Sequence, residues 1–447
     1  MIKMNNLKNS LGLRLLIIGG LSIILLIPSF MIQEIISERE SRRDSVIGEI
    51  SEKWGQEQTI VGPVLTIPYR FYLAGRDDPD PIKRYAHFLP EKLNVNGSIA
   101  PELRYRGIYE AVLYNSRLSV SGNFSPLTPG SLGIPLQDFM FDEAFVSVGI
   151  SDMTGIKESI DVIWNEELYM AEPGIETTDV VSSGVTISPG IEAGQAYSFS
   201  FGLNLNGSTG LLFSPVGEET TVHMESDWAN PSFAGSFLPA VREVNDDGFQ
   251  SEWKVLHLNR NFPQKWNGAN KEVASTTFGV DLLLPVDEYQ KTMRTAKYAI
   301  MFIALTFLTF FMIELLSGST IHPVQYLLIG FALLIFYTLL LSISEYVVFG
   351  LAYLIAAAAI VSLITVYSFS VLPDKRKTGI VFGVLTLLYG YLYILLQLQD
   401  YALLMGSIGL FTVLACVMYL TRQIDWFEIM GSGESQNAEG ASVKQRG

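Results

Sequence analysis

Unbroken apolar runs occupy both ends of this chain, and a period-two alternation fills the middle. Leu11–Ile32 supplies about twenty apolar residues, enough at 1.5 Å per residue to cross a hydrocarbon core about 30 Å thick. From Tyr298 onward the sequence is almost continuously apolar, and five further spans are predicted: Tyr298–Leu316, Val324–Ser342, Val347–Val371, Thr378–Leu398 and Tyr401–Leu420. Polar breaks separate them at Ser317–Pro323, Ile343–Tyr346, Asp374–Lys377 and Gln399–Asp400.

The first run ends in Pro28, Ser29, Phe30, Met31 and Ile32. Bulky groups stand where a signal peptidase needs small ones, so the run reads as an uncleaved anchor. Ser37–Trp54 then carries charges among scattered apolar positions and suits a helix continuing out of the bilayer. Beyond it the period changes. Thr59–Tyr69, Ala144–Ile150, Tyr197–Leu205, Leu211–Phe213, Thr220–Glu225 and Phe278–Leu284 read as strands. Tyr105–Val112 and Leu118–Phe124 are expected to pair across Tyr114-Asn115-Ser116, with Pro126–Leu136 and Glu172–Pro189 as loops. The fold predicted is a membrane protein with an anchor over 1–35 and a mainly antiparallel, sandwich-like β domain over 36–296. A five-helix transmembrane bundle follows over 297–422, then a disordered cytoplasmic tail over 423–447.

Composition sharpens this picture. Hydrophobic residues make up 49% of the 447 and charged ones only 17%, with a mean hydropathy of +0.30; soluble domains carry about 25% charged residues. Residues 33–297 hold a net charge of −16 against −15 for the whole chain. An acidic surface repels phosphate backbones, so nucleic acid is not an expected partner. Cys416 is the single cysteine, so no internal disulfide can form. Lys375, Arg376 and Lys377 make the strongly basic short loop, which the positive-inside rule places in the cytoplasm. Counting crossings from that loop puts both termini in the cytoplasm and residues 33–297 outside.

The sequence carries few signatures of chemistry. The sequence contains no G-x-x-x-x-G-K-[ST], H-E-x-x-H or G-x-S-x-G motif. Its four histidines, His87, His223, His257 and His322, show no ligand spacing. No cofactor or catalytic metal is expected. Two features remain. Trp228, Phe233, Phe237, Phe249 and Trp253 crowd into Asp227–Trp253 among prolines and glycines. They suit either an aromatic corner of the β core or an exposed groove for lipid or a partner. In the bundle, Glu314, His322, Arg422 and Asp425 fall at one membrane depth. They are expected either to snorkel separately or to pack as a cluster in which Arg422 pairs with Glu314. Lys297, Glu345 and Asp400 suggest a looser counterpart at the outer side.

The string from Trp228 to Val244, together with Gly248–Trp253, closely resembles the CreD family of bacterial inner-membrane proteins. The similarity runs on through Tyr289, Arg294–Ile300, Ala304–Phe307, Phe311, Glu314, His322–Gly330, Leu341–Glu345 and Leu420–Trp426. Val61–Pro63, Ile67-Pro68, Gly107–Tyr109 and Ser147–Gly149 match near the start. It weakens in Arg76–Pro81, Glu158–Pro189, the fourth and fifth spans, and the tail. The resemblance implies a multi-pass protein of the bacterial cell inner membrane concerned with cell envelope integrity. It also implies links to a carbon-source-responsive two-component system, colicin tolerance and envelope or β-lactam stress. It brings no catalytic residues. The function expected is therefore non-enzymatic, with the lipid bilayer as surroundings and an envelope lipid, glycan or protein partner at the outer domain. The alternative is a transporter or lipid handler working through the bundle; an enzyme with an unrecognised outer site is a third. Oligomeric state is not legible.

Overall fold

The computed structural model describes residues 11–72, 81–269, 271–284, 288–317, 321–372, 374–398 and 401–422. The chain divides into two compact units, Arg43–Pro285 and a second made of Met1–Arg42 with Val286–Gly447. The expected tail, with Asp425, and the loop residue Asp400 lie outside the described residues.

The first unit holds two sheets among its described residues. One runs β13 (Pro231–Gly235), β17 (Phe278–Leu282), β11 (Gly210–Phe213), β1 (Gln58–Phe71), β5 (Phe145–Ile150), β9 (Gly184–Ile187), β8 (Glu172–Pro173). From β1 it branches to β2 (Ile82–Phe88) and β16 (Lys265–Asn267). The other runs β14 (Val241–Asn245), β15 (Gly248–Leu256), β12 (Glu219–Ser226), β3 (Lys92–Arg106), β4 (Tyr109–Phe124), β10 (Tyr197–Ser208), β6 (Asp161–Trp164), β7 (Glu167–Met170). The ladders are antiparallel apart from β1 with β11 and β3 with β12, which are parallel.

Period-two patterning does what it predicts in β10, where Phe199, Phe201, Leu203 and Leu205 are buried on one face. Strand β1 is instead buried from Ile60 through Tyr69. It pairs with β11, β5 and β2 in the middle of its sheet, and the burial of consecutive residues means that both of its faces are covered. Side chains from both sheets, Val64, Val146 and Val148 with Val120, Phe199 and Phe201, join one hydrophobic core. That shared core makes the unit a sandwich.

Two expectations need correction. The hairpin does not turn at Tyr114-Asn115-Ser116. Strand β4 runs straight through those residues, and the turn falls at Gly107 and Ile108, where Gly107 adopts φ +66°. Asn115 looked like turn chemistry but lies in the sheet and donates to Asn204 Oδ1 at 2.7 Å. The segment Glu172–Pro189 is not wholly a loop either, since β8 and β9 extend the first sheet at its edge.

The second unit opens with α1 (Leu11–Ile24) and the part of α2 (Leu26–Trp54) up to Arg42, a helix broken only at Leu25. Pro28 accounts for the break, because its ring crowds the carbonyl four residues back, at Ile24. Helices α3 (Glu288–Lys297) and α4 (Ala299–Ser317) meet at a bend of 43°. After them come α5 (Pro323–Ser344), α6 (Phe349–Val371), α7 (Lys375–Gln397) and α8 (Ala402–Thr421). Among the described residues five helices are long and apolar enough to cross a membrane, and the bent pair makes a sixth. Helix α5 is central, touching α1, α3, α4 and α6, and it buries Tyr326, Ile329, Leu333, Phe336, Tyr337 and Leu340. Helix α8 rests on α7 alone at any length and leaves Phe411, Leu414 and Met418 exposed.

Candidate functional site

Glu314 stands one turn before the end of α4 and is only 5% exposed. A buried carboxylate needs a partner, and more so in lipid, where water cannot supply one. Both of its oxygens are engaged. Oε1 accepts from Nη1 of Arg14 on α1 at 2.7 Å, and Oε2 accepts from the hydroxyl of Tyr326 on α5 at 3.0 Å. Three helices are thus tied at one level. Phe307 and Phe310 pack edge-on against the Tyr326 ring and hold its hydroxyl in place.

The predicted cluster is therefore corrected. Among the described residues no ion pair joins Arg422 to Glu314. Arg422 leaves α8 with its guanidinium over the ring of Tyr419, 4.0 Å from the centroid. The reason is packing: α8 lies against α7, whereas α1 lies against α4 and α5. His322 works on the backbone instead. Its Nδ1 accepts from the Val324 N–H at 3.3 Å, while its own N–H donates to Gln325 Oε1 at 2.9 Å. Together they cap the first turn of α5, which Pro323 also favours. Asp425 lies outside the described residues.

A second polar layer sits at the other end of α5. Glu345 accepts from the Tyr289 hydroxyl of α3 at 3.4 Å, and Arg39 of α2 approaches to 3.8 Å. Of the looser counterpart suggested by the sequence, Glu345 takes part; Lys297 is exposed and Asp400 lies outside the described residues. The sequence reading missed Arg14, Tyr326, Arg39 and Tyr289. A signal was there for the first: Arg14 and Glu314 are the lone ionisable groups of their spans, and such groups seek each other.

The aromatic stretch of the β unit is core and not an open groove. Trp253 is 0% and Phe249 3% exposed. The rings of Phe233 and Phe249 meet edge-on at 6.0 Å, and those of Phe233 and Trp253 at 5.7 Å. Phe237 and Trp253 both reach Phe278 on β17, and Trp253 Nε1 donates to the Phe237 carbonyl at 3.1 Å. Trp228 is half-buried against the same core. The strands from β13 to β15 divide between the two sheets, which draws this aromatic run into the space the sheets share.

One histidine lies in the core of the β unit. His87 is fully buried, with Nδ1 3.0 Å from Thr66 Oγ1 and Nε2 3.2 Å from Asp179 Oδ2. Burial lowers its pKa below the ordinary 6.5, against the opposing pull of Asp179. Hydroxyl, imidazole and carboxylate in a row suggest acyl-transfer chemistry. Thr66 is 2% exposed, however, and sits inside the core, so the set braces β1 against β2. Among the described residues no group of three or more His, Cys, Asp or Glu side chains could hold a metal ion.

An anchor helix tied by charge into an apolar bundle, with a large two-sheet unit inserted after it, defines a multi-pass integral membrane protein. The sequence profile described as Inner membrane protein CreD matches residues 10–427. Inner membrane protein CreD of Escherichia coli (strain K12) is 33% identical over 431 residues, covering 94% of this chain and 95% of that protein. The chain belongs to the CreD family of inner-membrane proteins. A Legionella pneumophila crystal structure, provisionally assigned to nutrient binding, aligns with 46% of this chain and 72% of its own at 6% identity and a TM-score of 0.23, too low to support an argument.

Proposed function

We propose that this protein is a non-catalytic inner-membrane component that supports cell envelope integrity. In this reading both termini face the cytoplasm, and the β unit lies in the periplasm and meets an envelope lipid, glycan or protein. The observation that carries it is the layer at Glu345. Arg39, where the chain leaves the membrane unit, and Tyr289, where it returns, both touch that one carboxylate. The inserted unit therefore departs and re-enters at one membrane level. Arg14 and Glu314 mark the opposite level, and α6 returns the chain to it at the basic residues Lys375–Lys377 that open α7, which favours the cytoplasm there.

Photo-crosslinking in living cells tests this proposal. Probes at Leu238 and Leu258, 72% and 80% exposed, are expected to capture an envelope component. Capture of cytoplasmic proteins alone would overturn it. A second reading, lipid handling through the bundle, is favoured by one observation. A groove of about 550 Å³ runs between α6 and α7.

A further inference from the structure

We propose that the α6–α7 groove binds one acyl chain of an anionic phospholipid, whose headgroup rests on the cations of α3. The proposal rests on the lipid-handling reading and names its ligand. The groove exists because side chains are small where the two helices face each other: Gly350, Ala357, Ala358 and Ser362 on α6, and Thr386 and Gly390 on α7. Tyr353, Tyr389 and Tyr393 wall the end near Gly350, and Phe382 closes the other.

Its calibre selects the occupant. Gly350 to Ser362 spans about 18 Å of helix, close to half of a hydrocarbon core about 30 Å thick. A volume of about 550 Å³ for the centres of water-sized groups over that length leaves a channel roughly 9 Å wide from wall to wall, whereas a helix with its side chains needs about 10–12 Å. A single hydrocarbon chain fits and a partner helix does not. The groove begins just past Glu345 and ends near mid-membrane, so the chain enters from the leaflet on the Glu345 side.

Charge at that end selects the headgroup. Lys291, Arg294 and Lys297 fall three residues apart along α3 and share one broad face. Among the described residues none of them has a carboxylate partner. Lys291 Nζ lies 5.7 Å from the ring centroid of Phe349, the residue before Gly350 at the groove mouth. Cations held at the membrane surface beside an inter-helix cleft attract acidic headgroups, each worth about 1 kcal/mol.

Native mass spectrometry of the full chain in detergent provides the test, with phosphatidylglycerol and phosphatidylethanolamine of identical acyl chains as probes. Wild type is expected to retain the glycerol lipid on the order of tenfold better. The triple variant Lys291→Gln, Arg294→Gln, Lys297→Gln should retain lipid without that preference. Gly390→Leu with Ala358→Phe should lose both lipids; a Cβ at Gly390 meets open space, so the new side chain there starts into the groove without meeting the backbone. Ser362→Leu is the milder filler should the double variant fail to fold. Equal retention of both lipids by wild type, lost on filling, would overturn the headgroup assignment and leave lipid handling standing. No retention of either lipid, or retention unchanged in the filled variants, would overturn both.

Discussion

Glu314 and Arg14 show how far a single residue can be read. Each is the one ionisable group of its span, and the cost of an unpaired charge in lipid requires a partner. Sequence supplies that requirement but not the neighbour, because helix order in a bundle is a tertiary fact; hence Arg422 was the expected partner and Arg14 the observed one. The pair predicts an asymmetry. Arg14→Gln strands a carboxylate that is 5% exposed and should destabilise the bundle by about 3–5 kcal/mol. Glu314→Gln leaves an arginine that is 25% exposed and able to snorkel, so it should cost less. The double variant should cost less than the sum, read as thermal stability of the purified protein. Strict additivity would refute the pairing. His87 gives a second residue-scale prediction. Its folded pKa is depressed below 6.5 by burial, so the unfolded chain binds the extra proton and stability falls as pH drops through 6.5. Tryptophan-monitored melts at pH 7.5, 6.5 and 5.5 should show that slope in wild type and a shallower one in His87→Gln.

Elements were legible where one period dominated. The six apolar runs and the alternation of Tyr197–Leu205 appear as helices and as β10 within a few residues. The two-residue edge strand β8 was not legible, since an exposed edge carries little hydrophobic pattern, and β9 is inside the sheet but too short, at four residues, to show a period. Strand β4 was split in two because Asn115 imitates a turn. The aromatic run was visible as unusual, but its burial depends on β17, which is far away in sequence and supplies Phe278. As core, Trp253→Ala should cost about 3–5 kcal/mol, while Trp228→Ala, half-buried, should cost about 1 kcal/mol. Comparable small costs at both positions, measured by denaturant unfolding, would return the stretch to the surface.

At the scale of the whole molecule, the charge layers and the basic residues that open α7 bear on one question, the direction in which the chain crosses the membrane. Arg14 with Glu314 marks one level and Arg39 with Glu345 the other. About 25 residues of helix separate the two arginines, roughly 37 Å at 1.5 Å per residue, somewhat more than the hydrocarbon core. Both ends of the first span are thereby tied to the bundle at the membrane's two faces. The family assignment names the membrane, and the positive-inside rule supplies the sign. The proposed role at the envelope depends on that sign, because only an outward β unit can reach the periplasm. The most direct measurement is a pair of reporter fusions, one joined after Leu284 and one after Lys377. An exported phosphatase should be active after Leu284 and silent after Lys377, with a cytoplasmic reporter giving the reverse. Phosphatase activity after Lys377 and silence after Leu284 would contradict the account.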